Sequence, residues 1–438
     1  MRGTSRIIRR SSMCSLGSPD GPRDRRVYNL STGMKLWMKR AAAVCALALC
    51  GGLPARAQTL PSEPIAFADG RVILGGDVSA SLGPEDTGFF NYTDYEHSAL
   101  RLLRLDLSAS FKAGGHLAVL GELRSENAGR PRPYALYLRI RPWTTRQLDI
   151  QVGRVPPTFG AFARRTYAAD NPLIGYPLAY QYLTSLRPDS LPANADELLR
   201  MRGRGWLSNF SIGNSTPDRG LPLASVFRWD AGVQVHAATD LVDATAAVTA
   251  GTLSHPLFTD DNSGKQIAGR VAIHPGAGLI IGASAARGPF LTEATSRGAV
   301  GDGHSGDFTQ TAWGGDIEYS RDYYLVRFET ILSDWTVPVV RAPVVDVPLR
   351  ALATSLEGRY KIAPGLYAAA RFDHLGFSEI SGTLKRDTWD APVTRIEVGG
   401  GYSIQRNLIL KLSFQHNTRG GGRVPMLNLA AAQLVFWF

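Results

Sequence analysis

The chain has 438 residues, 44% of them hydrophobic, and a formal net charge of +10. That charge sits in the leader: residues 1–57 hold 11 of the 48 Lys and Arg but 2 of the 38 acids, leaving 37 against 36 in the remainder. A near-neutral body excludes nucleic-acid binding through a basic stripe, and because Cys14, Cys45 and Cys50 all lie in the leader, the body can form no disulfide and no thiolate metal site.

In chain order, residues 1–33 are basic and punctuated by Gly, Ser and Pro, and are expected to be a non-native extension upstream of a true start at Met34 or Met38. From Met34 a basic start, an apolar run from Ala41 to Leu53 and the triplet Ala55-Arg56-Ala57 read as a secretory signal, residues 34–57, cleaved between Ala57 and Gln58. The apolar run is too short to span a bilayer as a helix. Leu49 before Cys50 is a poor match to a lipoprotein signal. Cleavage leaves 381 residues, 58–438, as one domain.

No later segment has 18 consecutive apolar residues; the recurring signal is period two. Leu103, Leu105 and Leu107 alternate with Arg104, Asp106 and Ser108, and Leu136, Leu138 and Ile140 alternate with Tyr137, Arg139 and Arg141. The same pattern returns at Val326 and Phe328, from Leu352 to Ile362, at Ile396 and Val398, and from Leu408 to Phe414. A strand places alternate side chains on opposite faces, so each run has one apolar and one charged face. Short turns are expected at Ala113 to Gly115, Pro142 to Arg146, Ala238 to Asp240, His274 to Gly276, Ser320 to Asp322, Ala363 to Gly365 and Gln405 to Asn407. Longer polar segments lie near 83–98, 126–133, 156–223, 254–265, 288–308, 334–350, 377–391 and 418–426. Seven turns and eight loops predict 16 strands.

An even count with short turns on one side and long loops on the other predicts an all-β, 16-stranded antiparallel transmembrane β-barrel of an outer membrane, in contact with its lipid. A sheet in hydrocarbon must close, since lipid cannot satisfy a free edge. A soluble jelly roll would match the strands, but not the export signal and the turn asymmetry together. The chain stops at Leu434-Val435-Phe436-Trp437-Phe438, with Phe436 and Phe438 on one face. This resembles the terminal targeting strand of outer-membrane barrels, which implies delivery to the barrel-assembly machinery.

A barrel of this size leaves an aqueous channel, and about fifteen residues between the signal and the first strand hold no plug domain, so an open channel is expected. The loop from Pro156 to Leu223 is the longest at 68 residues. Its Phe159, Phe162, Tyr167, Tyr176, Tyr180, Tyr182 and Trp206 give it apolar groups with which to dock. Two readings stay open: a constriction folded into the pore, or an outside cap with a short hairpin around Trp206 to Ile212. Arg164, Arg165, Arg200, Arg202 and Arg204 in the loop, with Arg104, Arg139 and Arg141 on the wall, are the candidate pore residues, and rings of Arg favour anions. Much of the wall charge, including Arg228, Arg270, Arg327, Arg371 and Arg395, is equally readable as cross-strand salt bridges.

The segment Val152-Gly153-Arg154-Val155-Pro156-Pro157-Thr158-Phe159-Gly160 resembles the strand-end motif of phosphate-selective porins, with Thr158 inserted between Pro157 and Phe159. The resemblance implies passive diffusion of small hydrophilic solutes or anions, without cofactor, metal or catalytic residue, and, by analogy with 16-stranded porins, a homotrimer. The alternative is an outer-membrane enzyme or adhesin that uses the barrel as an anchor.

Overall fold

The computed structural model describes residues 61–438 except 62, 93–96, 144, 163, 164, 226–228, 339 and 346. The leader with the Ala57–Gln58 junction, Arg164 and Arg228 lie outside the described residues. Sixteen long antiparallel strands run through the described residues. They are β1 (Val72–Leu82), β2 (Leu103–Lys112), β3 (Leu117–Glu126), β4 (Arg132–Ile140), β5 (Gln147–Val155), β6 (Asp230–Ala238), β7 (Val242–Thr249) and β8 (Gln266–Gly276). The second half is β9 (Leu279–Pro289), β10 (Thr309–Arg321), β11 (Tyr324–Trp335), β12 (Leu349–Ala363), β13 (Leu366–Phe377), β14 (Val393–Gln405), β15 (Leu408–Arg419) and β16 (Met426–Trp437). Each strand pairs with its sequence neighbours, and β16 pairs with β1, so the sheet closes into a barrel. A short strand, Ile65–Phe67, folds back on the start of β1.

The alternation sets which face is wet. Leu105, Leu107, Leu352, Leu356, Leu412 and Phe414 point out and are exposed, while their neighbours Arg104, Asp106, Glu357, Lys411 and Ser413 point in and are buried. An apolar outer face is what hydrocarbon demands; an arginine in place of Leu356 near the midplane would cost about 2–4 kcal/mol. Exposed Phe111, Trp143, Tyr319, Tyr323, Tyr324, Tyr360 and Tyr402 ring the short-turn end, where aromatic side chains meet the interface. This is the architecture of an outer-membrane barrel.

The seven connections expected as turns lie at the end that carries Pro61 and Phe438, and the eight expected as loops lie at the other. Two expected turns are displaced: Ser320 and Arg321 belong to β10, after which the chain turns at 322 and 323, and His274 to Gly276 belongs wholly to β8, the chain reversing at 277 and 278. Pro275 is tolerated there because the pairing with β9 is irregular between Ile273 and Gly276, so the missing N–H breaks no regular ladder bond. The loop expected to end at Leu223 runs on to β6 at Asp230.

Candidate functional site

The strand register assembles an alternating row of charge on the inner wall. Glu318, Arg327, Glu357, Arg371 and Glu397 are successive cross-strand partners on β10 to β14, and Gln415 on β15 extends the row. Arg327 holds Glu318 at 2.7 Å and Glu357 at 3.1 Å; Arg371 holds Glu357 at 3.3 Å, Asp373 at 2.9 Å and Glu397 at 2.6 Å. On the opposite wall Arg104 pairs with Glu126 at 2.7 Å and Arg124 with Asp106 at 2.5 Å, while Arg270 pairs with Asp316 on β8 and β10. Desolvating such charges is costly, and the cost is offset only where each finds several partners. The row supplies them.

The third long loop lies across this wall, inside the barrel. It leaves β5 at Pro156, and Gly160, at φ +80°, turns it inward, its amide donating to Ser284 on β9 at 3.1 Å. The amide of Ala161 and the hydroxyl of Tyr180 both donate to Glu329 on β11 at 2.7 Å. Tyr167 donates to Glu122 on β3 at 2.5 Å, and Arg104 on β2 donates to the Tyr176 hydroxyl at 2.9 Å. Lys411 on β15 donates to the main-chain oxygens of Ala168 and Asn171, and the amide of Gly175 donates to Glu397 on β14 at 2.9 Å. Burial pushes the Tyr167 and Tyr180 hydroxyls above the usual phenol range, and the adjacent Glu122 and Glu329 add to it. Both therefore remain donors.

Gly175 shows how close the loop comes. A Cβ there would collide with Gln415 Nε2 and sit 2.6 Å from Glu397 Oε2. Phe159 lies on Gly314 of β10 in the same way, and Phe162 packs against Tyr176 and Tyr180 at 5.7 and 4.9 Å between ring centres. These rings form a buried core with Leu178, Leu186, Leu198, Leu223, Trp335 and Trp389. Further along, Asn194 caps the short helix Ala195–Arg200 by accepting from the Glu197 amide at 3.0 Å. The carboxylate of Asp390, from the loop after β13, accepts from the amides of Ser185, Gly203 and Ala391 at 2.7 Å each. The expected hairpin around Trp206 to Ile212 is not formed as such; Ile212–Gly213 pairs instead with Ser190–Leu191.

The lumen is thus not the open tube expected from the lack of a plug domain. The loop itself is the filling, because its aromatic and leucine side chains find their burial inside the barrel. Of the arginines singled out from the sequence, Arg165 meets Glu357 at 3.1 Å, Arg104 lies beneath the loop, and Arg141 pairs with Asp149 at 2.9 Å near the short turns. Arg139 is half-buried on the wall of β4. Arg200 and Arg202 pair with Glu197 at 3.4 Å and Asp387 at 2.6 Å, with half-buried Arg204 nearby in sequence. They do not converge on one ring. The residues that anchor the loop, Glu122, Ser284, Glu329, Glu397 and Lys411, went unranked in the sequence. Their inward parity was readable there, but not their partners.

No protein-family model matches the chain, and no curated protein matches it. Solved structures do match. Outer-membrane expressed OmpT of Vibrio cholerae is 11% identical, with 86% of this chain and 100% of that chain covered and a TM-score of 0.50. OmpF of Salmonella typhi, in a complex with daunomycin, is 10% identical over 84% of this chain and 97% of that one, TM-score 0.50. An anion-selective porin from Comamonas acidovorans is 10% identical over 84% and 99%, TM-score 0.50. At these identities the likeness is one of fold.

Proposed function

We propose that the protein is an outer-membrane porin of restricted aperture, a passive diffusion channel for small hydrophilic solutes. The observation that carries this is the third loop, folded inside a charged inner wall and bonded to it on both sides of the lumen. A barrel used only as an anchor has no need of such a wall. The expected anion preference rests on loop arginines, and the pairing of Arg165, Arg200 and Arg202 with carboxylates weakens it. Nor does the strand-end motif at Val152 to Gly160 identify phosphate as the solute. Planar-bilayer recording tests the proposal: steady ion steps are expected, smaller than those of an unobstructed barrel, and deletion of 168–201 should enlarge them. A barrel silent both before and after that deletion would return the chain to the anchor reading, as an enzyme or adhesin.

Two further expectations belong to this reading. The leader is removed after Ala57, which the mass of the mature N-terminus checks. The barrel assembles as a homotrimer, which a monomeric mass under mild detergent extraction would refute.

A further inference from the structure

On β1 a carboxylate is left stranded. Asp77 points into the barrel, is 6% exposed, and has no hydrogen-bond partner at either carboxylate oxygen among the described residues. In register it lies between Trp437 on β16 and Asp106 on β2. Like charges directly opposite one another on a sheet are unfavourable, and the two nearby guanidinium groups are engaged elsewhere: Arg104 donates to Glu126 and Tyr176, and Arg124 to Asp106 at 2.5 and 3.2 Å. Lys411 is turned into loop carbonyls.

Asp77 lines a cavity of about 340 Å³ between the wall and residues 167–170 of the third loop, together with Asp106, Glu122, Asp170, Tyr167 and Trp437. Glu122 accepts from the Tyr167 hydroxyl with one oxygen, and its other oxygen faces the Arg124 guanidinium at 3.6 Å. A buried carboxylate without donors is expensive, so a ligand that supplies them would be taken up against that cost. Among the described residues no group of acids converges closely enough to hold a metal ion. The carboxylate that lacks donors calls for a cation that brings N–H groups, and the indole of Trp437 offers a face that attracts positive charge.

We propose that this cavity is a subsite for a small organic cation, an alkylammonium ion whose nitrogen is held by Asp77 and whose carbon chain lies along Trp437. This deepens the channel reading by naming a solute class, of the sign opposite to the one the loop arginines favour, but its test does not depend on conduction. The purified full-length barrel in detergent is titrated calorimetrically with n-butylammonium and with 1-butanol, its neutral counterpart. The ammonium is expected to bind and the alcohol not. Asp77→Asn should weaken ammonium binding about tenfold to a hundredfold, the equivalent of about 1.5–3 kcal/mol for a hydrogen bond between charged groups.

Equal binding of the two probes, binding of neither, or an Asp77→Asn barrel that binds as wild type would each overturn the proposal. If Asp77→Asn does not fold, Trp437→Leu replaces it, with reduced ammonium binding expected and unchanged binding overturning the site. A barrel that binds the ammonium but passes no ions removes the channel reading and leaves this one. Ion steps without ammonium binding do the reverse.

Discussion

Lys411→Met tests whether the loop is held where it lies. Lys411 is 1% exposed, and its ammonium donates to the main-chain oxygens of Ala168 and Asn171 at 2.5 Å each. Ala168 keeps a second donor, the Asn171 amide at 3.3 Å. The substitution therefore strips this donor chiefly from the oxygen of Asn171, a residue that is 3% exposed. An orphaned buried acceptor costs about 1–3 kcal/mol. Methionine nearly conserves volume, so little packing is lost, while removing a desolvated ammonium offsets part of the cost. A net loss of about 2 kcal/mol lowers the ratio of docked to undocked loop about thirtyfold. Limited proteolysis of the folded barrel, following cuts within 168–201, should accelerate by a comparable factor, and single-channel records should show larger, flickering steps. Cleavage and currents identical to wild type would refute the anchoring role of Lys411 and the energies assigned to it.

Arg165→Gln, alone or with Arg164, should leave folding intact because Glu357 keeps Arg327 and Arg371. If Arg165 faces the ion path, the reversal potential in a salt gradient moves toward cations; an unmoved potential removes arginine control of selectivity. Glu293, in the loop after β9, is held down to about 2 by hydrogen bonds from the Ser305 hydroxyl and amide, with His304 and Ser263 adding. A depressed carboxylate stabilises above its unfolded pKa and loses that effect as pH falls through the folded value. Proteolysis of this loop should therefore be slow above about pH 4.5 and rise progressively as pH falls from there to about 2, while Glu293→Gln should be fast at every pH; identical profiles would exclude the role. Deleting Phe438 removes two main-chain bonds of 3.0 Å to Gly76 that continue the β16–β1 pairing. The yield of heat-modifiable barrel should fall, and an unchanged yield would show that closure does not need them.

The wall was legible because a strand in lipid has a strict alternation to obey. Leu352 to Ile362 announced its own faces, and turns such as Ala363 to Gly365 were marked by breaks in that period. His274 to Gly276 misled because Pro275 imitates a turn, whereas an irregularity in pairing absorbs it. The loop was legible only in composition. Its aromatics said that it would be buried, but where it docks depends on residues far away in sequence, such as Glu397 for Gly175 and Lys411 for Ala168. The charge row from Glu318 to Glu397 exists only once five strands are in register. Arginines counted along the chain looked like a basic cluster; paired in space, Arg165, Arg200 and Arg202 are largely neutralised.

The path of the third loop also bears on how the barrel opens and shuts. One stretch, Tyr167 to Tyr176, grips Glu122 and Arg104 near the first strands and Lys411 and Glu397 near the last. It therefore crosses the β1–β16 seam from within, as a brace laid across a door. The brace cannot be fastened before both jambs stand, so docking of this stretch must follow the arrival of the final strands. Once fastened, any sideways parting of the seam has to tear the brace as well as the strand pairing. The segment that fills the lumen is thereby also the latch that resists the barrel's reopening.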